Sequence, residues 1–198
     1  MAVLPIYVVP QPVLKKSAEV VSSVTDEIRK LVDDMVETMY AARGIGLAAP
    51  QVGVSQRVIV MDVDQKRADG SDHDDDSDED EDDTPLEKGT VRVFINPEVV
   101  WASEEENVYE EGCLSIPGQY APVTRPKMVR VKYMDLDGKT QEIEADGLLA
   151  TCLQHEIDHV NGILFTDHLS SLKRDMLLRK LKKHLRENPE FFDGTHIL

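Results

Sequence analysis

His155-Glu156-Ile157-Asp158-His159 constrains this chain more than any other stretch. The run from Asp146 to Leu153 before it, with Ile157 and Val160, predicts a largely buried helix. On a helix advancing about 100° per residue, His155 and His159 project from one face about 40° apart, close enough to share one metal ion. Glu156 sits one residue round from the first histidine, where it reaches a water at such an ion without binding the ion itself. The pattern also arises by chance in helices whose histidines are simply packed, so the rest of the chain has to decide.

The 198 residues, 41% hydrophobic, suit a single domain over 1–198 with a real core. No apolar run approaches membrane-spanning length. The stretch Met1 to Pro10 is apolar but interrupted by prolines, and Lys15 and Lys16 follow it rather than precede it, unlike a signal peptide. Two cysteines, Cys113 and Cys152, far apart in sequence, fit a reducing, cytoplasmic setting. The formal charge of −16 is local in origin. Residues 69–83 hold 11 Asp or Glu and no Lys or Arg, and without them the net charge is −5.

Thr25 to Ala42 predicts an amphipathic helix, with Thr25 as N-cap, Asp26 and Glu27 in the first turn, and Ile28, Leu31, Val32, Met35, Val36 and Met39 at helical spacing. Gln56 to Val63, Val91 to Ile95 and Met128 to Met134 predict strands. Asp137-Gly138 signals a hairpin into Gln141 to Glu144. From Leu169 the chain turns helical again until Asn188-Pro189, with a basic helix over 170–187 docked by Met176, Leu177, Leu181 and Leu185. This irregular alternation argues α+β, with antiparallel sheets packed around a central helix that carries the two histidines. Residues 69–83 read as a solvated, mobile insertion. The alternate spacing of Asp72, Asp74 and Asp76 imitates an EF-hand start, but Ser77 stands where that loop needs Gly.

A catalytic metal site needs a third ligand and an open position. His168 and Asp167 are downstream candidates. Cys113 is the stronger one, because Gly112 before it allows close backbone approach, although an inert buried cysteine is the plainer alternative. Gly44, Gly46 and Ala49 imitate a dinucleotide fingerprint. A helix precedes them where a strand is required, however, and Pro50 interrupts the helix that should follow. The two glycines around Ile45 instead suit a peptide laid alongside as an added strand, and the Gln51 amide offers an oxyanion donor.

Gly44-Ile-Gly-Leu-Ala-Ala-Pro-Gln51, Glu111-Gly-Cys-Leu-Ser115 and Gln154-His-Glu-Ile-Asp-His159 resemble, in order and spacing, the three signature motifs of peptide deformylases. The resemblance runs through nearly the whole chain to Asp167-His168-Leu169-Ser170. It implies hydrolysis of the N-formyl group from the initiator methionine of newly made proteins, with Fe2+ as native metal and Zn2+ or Ni2+ accepted. By that resemblance Cys113, His155 and His159 bind the metal and Glu156 is the acid/base. Gln51 and the Leu114 backbone N–H stabilise the oxyanion. Ile45, Gly46, Gly112, Thr151 and Cys152 receive the substrate, and Glu111 pairs with Arg125 to hold the cysteine loop. The expected partners are N-formylmethionyl nascent peptides and, through the basic helix, the ribosome, with neither membrane nor DNA. Three departures stand out: the acidic insertion, Pro50 at a variable position, and Tyr120 where relatives often carry Arg. A general metallopeptidase and a non-catalytic metal-stapled module are the competing readings.

Overall fold

A computed structural model describes residues 2–67, 86–189 and 196–197. In chain order the strands are β1 (Ile6–Tyr7), β2 (Gly46–Ala48), β3 (Val58–Met61), β4 (Lys66–Arg67), β5 (Leu86–Glu87), β6 (Arg92–Ala102), β7 (Glu106–Cys113), β8 (Ile116–Pro126), β9 (Met128–Met134), β10 (Thr140–Asp146) and β11 (His196–Ile197). The helices are α1 (Asp26–Ala41), α2 (Gly147–Val160) and α3 (Ser171–Glu187). Five strands form an antiparallel sheet in the order β10-β9-β6-β3-β2, which leaves β2 at an edge. The predicted α+β class is the observed one.

All four residues of β3 are buried because both faces of this sheet are covered. One face carries Leu47, Val58, Val60 and Ile95 against Ile28, Val32, Met35 and Met39 of α1. The other carries Ala48, Ile59, Met61, Phe94, Val129 and Val131 against Leu153, Ile157 and Val160 of α2. The alternating side chains of each strand therefore feed two cores. On its far side α2 meets the β7–β8 hairpin. Ile116, Ala121 and Val123 of that hairpin form a third core with Phe165, Leu177 and Leu181. A helix held between two sheets can present one face to a cleft while its other faces are buried.

The Thr25 hydroxyl accepts the Ile28 N–H at 3.4 Å and starts α1 as predicted. Three expectations are corrected. The strand expected to end at Ile95 continues to Ala102, because a register shift after Ile95 absorbs Asn96-Pro97 and a second after Val99 absorbs Val100. Asn96 takes a positive φ of 51°, and its side chain bonds both the N–H and the carbonyl of Val21. The last helix begins at Ser171, capped by Ser170. Its docking stripe uses Leu177 and Leu181 with Leu178 and Leu185, while Met176 is exposed. Residues 69–83, with the EF-hand-like spacing, lie outside the described residues. Among the described residues no helix is long and apolar enough to cross a membrane.

Candidate active site

Cys113 ends β7 at a register shift, and the tight return through Leu114 and Ser115 pairs it with Ile116. This turn lowers the thiol onto the histidine face of α2. Cys113 Sγ lies 3.2 Å from His159 Nε2, and one donor atom each from Cys113, His155 and His159 falls within 4.8 Å of the others. His155 commits Nδ1 to Glu111 Oε2 at 2.8 Å, which leaves Nε2 for the cluster. His159 is 1% exposed, and its Nδ1 has no hydrogen-bond partner among the described residues. A thiol with two imidazoles, one fixed in tautomer by a carboxylate, fits a divalent transition metal with three protein ligands. His168 and Asp167, the alternative third ligands, are engaged elsewhere, with Asp158 and with Lys15 respectively.

Glu156 is buried beside the cluster. Its Oε1 faces Gly46 so closely that a Cβ there would lie 2.6 Å away, and its Oε2 has no hydrogen-bond partner among the described residues. Burial pushes its carboxyl up to about 7. Cys152 packs at the same spot, 2.9 Å from that Cβ position, with its thiol pushed up by burial and then by Glu156 and Glu111.

Gln51 sits in a short turn whose strain-free exit is Gly53, with φ +81°. Its Oε1 accepts the Ala48 N–H at 2.8 Å, so the amide orientation is set and Nε2 points to Ser115 Oγ at 3.2 Å and Cys113 Sγ at 3.6 Å. The Leu114 side chain fills the space a Cβ on Gly44 would need, 2.8 Å from its Cδ1. Ile45, Gly46, Gln51, Gly112, Leu114, Thr151, Cys152 and Glu156 line one cleft of about 660 Å3 with Cys113 and His155 at its floor. His159 and Arg125 lie behind that surface.

Arg125 donates through Nε and Nη2 to the two Glu111 oxygens at 2.5 and 2.9 Å. Burial alone would raise Glu111, but the hydrogen bonds and charges of Arg125 and His155 hold it down at about 2. Arg125 Nη1 also reaches Asp158 Oδ2 at 2.8 Å. Burial opposes ionisation of Asp158, yet His168 and Arg125 together keep it below the usual carboxylate range. Sequence reasoning missed Asp158 and Ser115. A carboxylate one residue before a ligand candidate, on a helix otherwise almost wholly buried, was the available signal for Asp158.

The family model of polypeptide deformylase matches residues 3–175. A peptide deformylase of Rhodopseudomonas palustris (strain TIE-1) is 54% identical over 183 residues, covering 92% of this chain and 95% of that protein. One from Rhizobium meliloti (strain 1021) is 51% identical, covering 92% and 94%. The crystal structure of peptide deformylase from Ehrlichia chaffeensis in complex with actinonin superposes with a TM-score of 0.79 at 44% identity, covering 94% of this chain and 99% of that one.

Proposed function

The chain belongs to the polypeptide deformylase family, and from that premise we propose that its cleft removes the N-formyl group from the initiator methionine of newly synthesised proteins, releasing formate. The observation that carries the reading is Glu156, a buried carboxylate whose Oε2 has no hydrogen-bond partner among the described residues, lining a cleft beside a Cys-His-His cluster.

Cys113, His155 and His159 hold one divalent ion, with Fe2+ as the native metal and Zn2+ or Ni2+ as substitutes, since a thiolate with two imidazoles suits each of them. When bound, such an ion would supply Lewis acidity and lower the pKa of water to about 7. Glu156 takes the proton of the attacking water and delivers it to the departing amine nitrogen, so that the C–N bond breaks as a neutral amine leaves. Gln51 Nε2 and the Leu114 backbone N–H donate to the oxygen on which charge develops. The open edge of β2, with Gly46 and the adjoining Ile45, accepts the substrate backbone as an added strand. Ile45, Thr151 and Cys152 wall the methionine side chain, and Gly112 keeps the opposite wall close.

The enzyme works in the cytoplasm as one catalytic domain over 1–198, and α3 brings it to ribosomes, where its substrates emerge. Formate release from a formyl-Met-Ala peptide by the metal-loaded protein tests the reading. Metal-loaded protein that releases no formate, or that cuts internal peptide bonds instead, would overturn it.

A further inference from the structure

A line of hydrogen bonds runs from the cluster to the protein surface. His155 Nδ1 donates to Glu111 Oε2 at 2.8 Å, and the two Glu111 oxygens accept from Arg125 Nε and Nη2. Arg125 Nη1 turns away to Asp158 Oδ2 at 2.8 Å, and that same oxygen accepts from His168 Nε2 at 2.7 Å. Side-chain exposure rises from 4% at Glu111 and 6% at Arg125 to 16% at Asp158 and 36% at His168. His168 is thus the outer end of the line, on a turn that is itself pinned. Its neighbour Asp167 pairs with Lys15 and accepts the Leu164 N–H at 2.8 Å.

We infer that His168 is a positioning residue for His155, acting through Asp158, Arg125 and Glu111. Arg125 is shared between two carboxylates, so its placement depends on both. Asp158 Oδ2 serves Arg125 and His168 together, and the imidazole fixes where that oxygen lies. Without it the Asp158 carboxylate is free to turn, Arg125 follows, and the grip on Glu111 that orients the His155 ring loosens. Partners of a ligating histidine set its ring orientation and basicity, and removing a direct one costs roughly 10–100-fold in affinity or activity. A contact three bonds removed is expected to matter less. An isolated surface His–Asp pair, by contrast, contributes little to stability and has no effect at a metal.

The inference rests on the assignment of Cys113, His155 and His159 as ligands. The test uses nickel-loaded enzyme and follows nickel release to a chelator together with kcat and KM. His168→Phe is expected to release nickel faster and to lower kcat, each on the order of 3- to 10-fold, with KM unchanged. His168→Gln keeps an N–H for Asp158 and is expected to restore most of both. If the Phe variant does not fold, His168→Ala carries the same comparison. Parent-like nickel release in the Phe or Ala variant overturns the inference, as does an equal loss in the Gln variant. A parent enzyme that fails to bind nickel stoichiometrically overturns the ligand assignment and the inference together.

Discussion

Glu156 is placed where a fold gains nothing from it. A buried carboxylate oxygen without a partner destabilises a protein by about 1–3 kcal/mol, and none of the surrounding packing needs a charge there. Chemistry does need one. Glu156→Gln keeps the shape but cannot shuttle a proton, so turnover is expected to fall about 10²- to 10⁴-fold while metal stoichiometry is retained. Parallel metal analysis and formate assays check this, and near-normal turnover with stoichiometric metal would remove Glu156 from its role. Gly46 protects the same carboxylate. A methyl group there would meet Glu156 Oε1 at 2.6 Å and Cys152 Sγ at 2.9 Å, so one of them must move. Gly46→Ala is expected to lower kcat on the order of 10²-fold, the loss that a misplacement of about 1 Å brings. Its denaturation midpoint should report only a modest destabilisation, of about 1–3 kcal/mol. An unchanged kcat would show that Gly46 does not constrain the carboxylate.

At the scale of elements, the helices were the most legible part of the sequence. α1 announces itself by a capping threonine, acids in its first turn and apolar residues at helical spacing, and α2 by its near-continuous burial. The β7–β8 hairpin was not legible, although it carries Cys113. Along β8 the buried positions include Gln119, Ala121, Val123 and Arg125, a period-two pattern broken to the eye by a glutamine and an arginine. Pro117, Pro122 and Pro126 add further votes against a strand. Arg125 is buried because Glu111 and Asp158 receive it; the family resemblance already implied the Glu111 partner, whereas Asp158 emerges only from the folded chain. The motifs made the Cys113, His155 and His159 cluster and Glu156 legible, whereas the outward line to His168 depends on α2, β7, β8 and the turn at His168 meeting. Deleting residues 69–83 belongs to this scale too. β4 and β5, which flank the segment, pair as Lys66↔Glu87 and Arg67↔Leu86, so a short connection between them suffices. The deleted sequence offers 11 carboxylates and no apolar side chain to a core. A variant closed by a short glycine-containing turn is expected to fold and to release formate at the parent rate. Loss of folding in circular dichroism would show that the segment contributes to the core or binds an ion.

Across the whole molecule, charge is divided between two segments of the chain. The insertion accounts for most of the net −16, whereas α3 carries Lys173, Arg174, Arg179, Lys180, Lys182, Lys183 and Arg186 against Asp175 and Glu187. Burial of Leu177 and Leu181 docks α3 on the hairpin and leaves Lys180, Lys182 and Lys183 exposed. A basic face on an otherwise acidic protein is suited to RNA phosphates. At physiological salt the Debye length is about 8 Å, so charges farther than that from a phosphate contact of α3 weaken it little. Changing Lys180, Lys182 and Lys183 together to Glu is therefore expected to abolish salt-sensitive co-sedimentation with ribosomes. Each lost phosphate contact should lower the slope of log affinity against log salt by about 1. Hydrolysis of a short formyl peptide should be unchanged, because these three side chains lie outside the cleft. A triple variant that still sediments with ribosomes at the parent's salt dependence would place the anchor elsewhere on the molecule.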